Sequence, residues 1–347
     1  MLTSCQLVPD SLADAITGAT KGMAQDGNSL YHQTDEVLLT TGELMVDGEI
    51  KSPGRVRLRD HYEREVVVKE ALPVEGGIPH LVGAYRYRGY SLFDLLHPFN
   101  QQKKNMEIFR PAIDLYVVIE NAVGESVVFS WSEIFHTINP HQIMIATRMA
   151  PIKPYRREVE YPVFEQWRVV AAGDLFAHRF LENPVNITVR SFDQKEYEID
   201  REMEDPYSPE VIVDGLDLVP FPIAAEARQE SHLYYQSTFY GMGMGYHPTP
   251  HFQGPALKDL LEGKVGAEDA TWNRHGLVTF AGKDGYRAVY SYSELFNRAD
   301  QVFPILAIPD NPNEAGYYRV FHPMDFYADR SVKNLSEIFF FREGVPR

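Results

Sequence analysis

A single cysteine, Cys5, in 347 residues excludes an intrachain disulfide framework and any thiolate-rich zinc or iron–sulfur site. Long hydrophobic runs are lacking too: no stretch approaches the roughly 20 apolar residues that a membrane-crossing helix needs. Positive charge is in deficit. Lys and Arg number 33 against 49 Asp and Glu, a formal charge of -16. No basic block forms a nucleic-acid footprint, so nucleic acid is set aside as a partner. Neither a Gly-x-Ser-x-Gly elbow, a Walker loop nor His-Glu-x-x-His occurs, which leaves hydrolase and nucleotidase chemistry without support. What is present is 44% hydrophobic and 12% aromatic, enough for two ordinary domains with real cores.

The chain repeats itself. "VDGEIKSP" from Val46 returns as "VDGLDLVP" from Val213, and "RGYSLFDLL" from Arg88 returns as "QGPALKDLL" from Gln253. "GESVVFSWSEIF" from Gly124 returns as "GYRAVYSYSELF" from Gly285. "RVVAAGDLFAHRFLENPVNI" from Arg168 pairs with "RVFHPMDFYADRSVKNLSEI" from Arg319, aligning Arg168 with Arg319, Asp174 with Asp325, Arg179 with Arg330 and Asn183 with Asn334. The order is the same in both halves, and the spacing shrinks along the chain as longer loops in the first copy would require. Each copy reads as strand, Gly-containing turn, strand and a short Ser-opened helix, with one- or two-turn helices at "SLFDLL" and "ALKDLL" and closing strands at "VNITVRSF" and "LSEIFFF". The predicted organisation is a flexible N-terminal tail over 1–40, a first copy over 41–192, an acidic linker over 193–210 and a second copy over 211–347.

A Gly followed by a Leu-Asp-Leu-Leu helix, a strand–turn–strand ending in Ser-x-x-Glu, and an Arg-x-Val-Lys run before the last strand together resemble the molybdopterin-binding domain of the sulfite oxidase family, once per half over about residues 41–347. The resemblance implies an α+β class: two copies of a mixed α/β molybdopterin-binding fold related by a pseudo-twofold. It also implies that the Arg-x-Val-Lys stretch helps hold the pterin phosphate, a role that falls here on Arg330, Ser331 and Lys333. The matching Arg179-Phe180-Leu181-Glu182 keeps only the arginine.

One departure bears on chemistry. In the family a cysteine thiolate ligates molybdenum on the strand before the Leu-Asp-Leu-Leu helix, and the corresponding stretches here, "VVVKEALPVEGG" from Val66 and "LYYQSTFYGMGMG" from Leu233, hold no cysteine. Ser237 and Tyr240 offer only hydroxyl oxygen, and hydroxyls beside a Gly-rich turn are ordinarily just hydrogen-bonded. Molybdenum catalysis of the usual kind is not expected, and no metal ligand and no catalytic residue is assigned. His232, His247 and His251 lack a diagnostic spacing, and Lys153, Arg156 and Arg157 read as a small basic cluster on a solvated face.

The tail carries two further signals. "LTSC", ending at Cys5, fits the end of a bacterial lipoprotein signal without the charged and apolar regions that precede one, so it is either a lipidation site or an accidental match. "DAITGAT" resembles the segment at which a secreted transferase esterifies FMN to a hydroxyl, as in the flavin-carrying subunits of sodium-pumping quinone reductases. That resemblance gives Thr20 the attachment oxygen, Gly18 and Ala19 room for the transferase, and Asp14 a recognition role; alternatively, Asp10 or Ser11 caps a helix that Gly18 ends. The expectation is an extracytoplasmic, periplasmic or cell-surface redox and electron-transfer protein, lipid-anchored through Cys5, with covalent FMN as its cofactor and a flavin transferase and a redox partner protein as its partners. Two alternatives stand beside it: a molybdopterin-dependent oxidoreductase without cysteine ligation, and a non-catalytic binding or scaffold lipoprotein.

Overall fold

The structure, a computed structural model, describes residues 34–74, 78–154, 156–265, 270–311 and 316–344. Cys5, Asp14, Gly18, Ala19 and Thr20 lie outside the described residues, as does the helix expected around Gly18. The fold is mixed α and β, mostly strand with few and short helices.

In the first half a five-stranded sheet runs in the order Gly54–Arg55, Met45–Gly48, Pro184–Ser191, Leu115–Asn121, Ser126–Ser130. Met45–Gly48 is parallel to Pro184–Ser191, and the remaining neighbours are antiparallel. A five-stranded sheet in the second half runs Phe221–Pro222, Ile212–Gly215, Leu335–Arg342, Gly276–Gly282, Arg287–Ser291 with the same parallel and antiparallel sense at each step. The strands "VNITVRSF" and "LSEIFFF" therefore sit at the middle of their sheets.

The stretches Leu115 to Ile119 and Ile338 to Phe341 are apolar on both faces because both faces are covered. Leu115, Val117 and Ile119 point into the core of the first half while Tyr116 and Val118 point the other way. In the second half Ile338 and Phe340 enter the local core, whereas Phe339 and Phe341 turn outward to meet Tyr116, Val118 and Val128. The outer faces of the two sheets thus close on each other, and each fully buried Phe or Val there is worth about 1.5–3 kcal/mol relative to exposure.

A second sheet in the first half has the order Leu181–Glu182, Arg168–Ala171, Ile143–Pro151, His80–Ser91, Arg64–Leu72. Val37–Leu38, within the segment expected as tail, pair with Met149 and Arg148 on its Ile143–Pro151 strand. The second half has shorter pieces in the same relations: Leu233–Gln236 pairs with His251–Gly254, and Ile305–Ala307 pairs with Arg319–Phe321, the two ribbons touching at Ala256 and Ile305. Gly254 permits that touching, as Gly89 permits the matching approach of His80–Ser91 to Ile143–Pro151 in the first half. A Cβ on Gly89 would lie 2.1 Å from the Ile145 carbonyl oxygen, and one on Gly254 would lie 2.0 Å from that of Leu306.

The segment 193–210 has neither strand nor α-helix, yet it packs on the second half: Tyr197 donates to Glu337 at 2.8 Å and Lys195 pairs with the same carboxylate. A loop of the first half also crosses over, seating Phe109 and Ile113 in the second core. Buried Lys103 fixes that loop by donating to the Phe109 carbonyl at 2.7 Å and pairing with Asp114 at 2.5 Å.

Candidate functional site

The short helices Trp131–Phe135 and Tyr292–Phe296 each begin with a capping box, Ser130 with Glu133 and Ser291 with Glu294. The capping serines serve a second purpose. Arg179 chelates Asp174 (2.8 and 2.6 Å), bonds Glu133 at 2.9 Å and reaches Ser291 of the other half at 3.2 Å. Arg330 chelates Asp325 (2.8 and 2.6 Å), pairs with Glu294 at 2.6 Å and reaches Ser130 at 3.4 Å. The backbone repeats this reciprocity: Ile138 donates to Met324 and Ala299 to Gly173, while Phe326 donates to His136 and Leu175 to Asn297.

A polar cavity of about 280 Å³ lies on this junction, lined by Glu133, Arg179, Glu294, Arg298, His322 and Arg330 among others. Its cations are neutralised by acids. Burial raises Glu133, opposed by Arg179, and raises Asp325 to about 6, opposed by Arg330. Glu294 is held below the usual carboxylate range because Arg330 and Ser130 outweigh its burial.

The expected phosphate-binding run is thereby divided. Arg330 is committed to the junction. Ser331 donates to the Val320 carbonyl at 2.6 Å and receives the Arg319 Nε–H at 2.7 Å. Lys333 lines a different and larger cavity, of about 640 Å³, with Arg319, His247, His251, Gln253 and Asp310. Phe239, Phe252 and three prolines, Pro248, Pro250 and Pro309, supply its apolar wall. A cavity of this size falls within the range of cofactor sites, about 300–1,000 Å³.

Arg319 decides the character of that cavity. It is 6% exposed, and its guanidinium lies over the rings of Phe239 at 4.5 Å and Phe252 at 5.4 Å. Nε is bonded to Ser331, but among the described residues the Nη groups meet no hydrogen-bond partner and no carboxylate. Burial without an anion pulls its pKa down to about 10. Arg330 moves the other way because Asp325 and Glu294 outweigh its desolvation.

The remaining candidates are dispersed. His251 stacks on Tyr234 and faces Asp310 at 3.4 Å, His247 bonds Thr249, and His232 bonds the Ala227 carbonyl. No group of three or more potential metal-ligating side chains occurs among the described residues. Ser237 and Tyr240 line a neighbouring cavity of about 410 Å³ with Phe326 and Tyr327. Lys153, Arg156 and Arg157 are exposed. No protein-family model matches the chain, and no curated protein matches it.

Arg319 is a candidate residue that the motif did not single out. Its alignment with Arg168 was visible, but what separates the two arginines is the identity of residues brought against them by a different strand, which one repeat segment cannot reveal.

Proposed function

We propose that the chain is a tandem duplicate of a sulfite-oxidase-like unit whose second half binds a phosphate-bearing ligand of cofactor size, with Arg319 and Lys333 receiving the phosphate. The observation that carries this is the buried Arg319 guanidinium, uncompensated among the described residues and facing a roomy cavity that Lys333 also lines. A cation left in that condition gains from an incoming anion what its own fold withholds, because attraction is strong where water is excluded. The matching strand orders and reciprocal contacts of the two halves support the duplication.

The phosphate end of a pterin cofactor fits these residues; its metal end does not. The two cavities along the strand Leu233–Gln236 and its continuation offer hydroxyls, imidazoles and Asp310, and the only thiol of the chain is Cys5. None of the residues lining these cavities supplies the soft thiolate that would hold molybdenum. Redox function in this account rests on FMN at Thr20, set there by a flavin transferase outside the cytoplasm, with lipid on Cys5 as the tether; a bound phosphate-bearing ligand in the second half would then be positioned by a chain whose own side chains hold it without reacting.

The test is chemical analysis of the protein from its native host. Mild denaturation should release a phosphorylated small molecule at about one per chain, with FMN retained covalently in the Thr20 peptide and molybdenum absent. A phosphorus-free protein with unmodified Thr20 would leave the scaffold reading standing in its place.

A further inference from the structure

The first half contains the corresponding arginine, Arg168, but there the guanidinium has polar partners of its own. Arg168 pairs with Glu70 at 3.1 Å and with the Tyr87 hydroxyl at 3.3 Å, and Tyr87 in turn donates to Glu70 at 3.0 Å. All three are buried, and Phe164 covers the guanidinium at 3.7 Å. Strand pairing shows what stands in their place in the second half. Arg64 pairs with Gly89 and Leu233 with Gly254, and both glycines make the same close approach to a carbonyl. Counting forward from these pairs, Glu70 corresponds to Phe239; counting back, Tyr87 corresponds to Phe252. Likewise Arg168 pairs with Ala146 as Arg319 pairs with Ala307. The two polar partners of Arg168 are thus both phenylalanines around Arg319.

We propose that Glu70 is a built-in counter-anion, its carboxylate occupying in the first half the place that a ligand phosphate takes at Arg319, so that the chain is a one-site protein made from two homologous sites. This rests on the phosphate-binding account of the Arg319 cavity and adds which half is closed and which residue closes it. Geometry favours substitution over mere surface pairing: Glu70 meets both Arg168 and the Tyr87 hydroxyl, so both of its oxygens are engaged as a phosphate's would be. Burial raises the Glu70 carboxyl, with Arg168 and Tyr87 opposing, as expected for a group whose charge is retained only by its partners.

Titration of the full chain with phenyl phosphate, followed by calorimetry and phosphorus NMR, tests this directly. Wild type should bind one equivalent. Glu70→Ala should take up a second, which Arg168→Met added to it removes. The reciprocal graft does not depend on Glu70→Ala folding: Phe239→Glu should weaken the single site at least about tenfold more than the uncharged Phe239→Gln, which loses the same ring without adding a charge. One equivalent on folded Glu70→Ala, or Phe239→Glu binding as Phe239→Gln does, overturns the role of Glu70. Wild-type binding that Arg319→Met leaves unchanged overturns the account of the cavity itself, and the Glu70 assignment with it.

Discussion

Arg168 holds the Glu70 carboxylate at 3.1 Å, whereas the corresponding Arg319 lies over the ring of Phe239, 4.5 Å from its centroid. One half stores the anion that the other half lacks. Stability and binding should therefore separate at these two arginines in opposite ways.

Arg168→Met leaves Glu70 buried without its cation, held only by the Tyr87 hydroxyl, and breaking such a buried ion pair typically costs 3–5 kcal/mol, so about that loss is expected in denaturant unfolding. Arg319→Met removes a desolvated cation with no carboxylate partner among the described residues. It should change stability by no more than about 1 kcal/mol, in either direction, while abolishing phosphate binding. Equal destabilisation by the two variants would contradict the contrast drawn between them.

At the junction, Ser130 caps its own helix and donates to Glu294 of the other half at 2.7 Å. Ser130→Ala should cost about 1–2 kcal/mol, the upper part of the usual range for a lost cap, because a cross-half bond goes with it. A double-mutant cycle with Glu294→Gln should give a coupling of about 0.5 kcal/mol or more. Strict additivity would mean that the bond contributes nothing.

The pH dependence has a definite sign. Asp325 is raised from 3.8 to about 6 in the folded protein, burial being the main cause. The folded state therefore holds this proton more tightly than the unfolded one. The stability it contributes is complete below the unfolded value and is lost as pH rises through about 6, on the order of 3 kcal/mol at about 1.36 kcal/mol per pKa unit. His136, pulled down to about 4 by burial, acts oppositely, its contribution being lost as pH falls below 6.5. Comparing Tm against pH for wild type and Asp325→Asn cancels the histidine. Between pH 4 and 6 the variant should lose relatively less stability, and parallel curves would contradict the assignment.

Gly89→Ala would drive a Cβ to 2.1 Å from the Ile145 carbonyl oxygen, in the middle of a paired sheet. Backbone on both sides must yield, so a loss of about 3 kcal/mol or more is expected, against roughly 0.5 kcal/mol for a surface Gly173→Ala, whose Cβ meets nothing. Comparable midpoints in urea would mean that the close approach is relaxed in solution.

How much of this was legible in the sequence follows from what each feature depends on. The capping boxes and the hairpins at Gly124 and Gly285 are local, and the Ser-x-x-Glu spacing and turn residues announced them. The apolar run Leu115 to Ile119 announced a strand, but its alternate residues serve two different cores, which only the packing of sheet on sheet separates. Arg330 looked like a phosphate ligand because its neighbours in the chain matched a motif; in the fold it is engaged by Asp325, a few residues upstream, and by Glu294, brought by a separate helix. Arg319 became conspicuous only through what surrounds it. Phe239 and Phe252 lie 80 and 67 residues away in the chain, and no local pattern joins them to it.

The most direct measurement is calorimetric titration of the intact chain with phenyl phosphate at neutral pH, wild type beside Arg319→Met. Saturable binding at one site per chain that disappears in the variant, with folding preserved, is the expected result. No heat of binding in wild type, or identical isotherms for the two proteins, would contradict the assignment of the second-half cavity as an anion site.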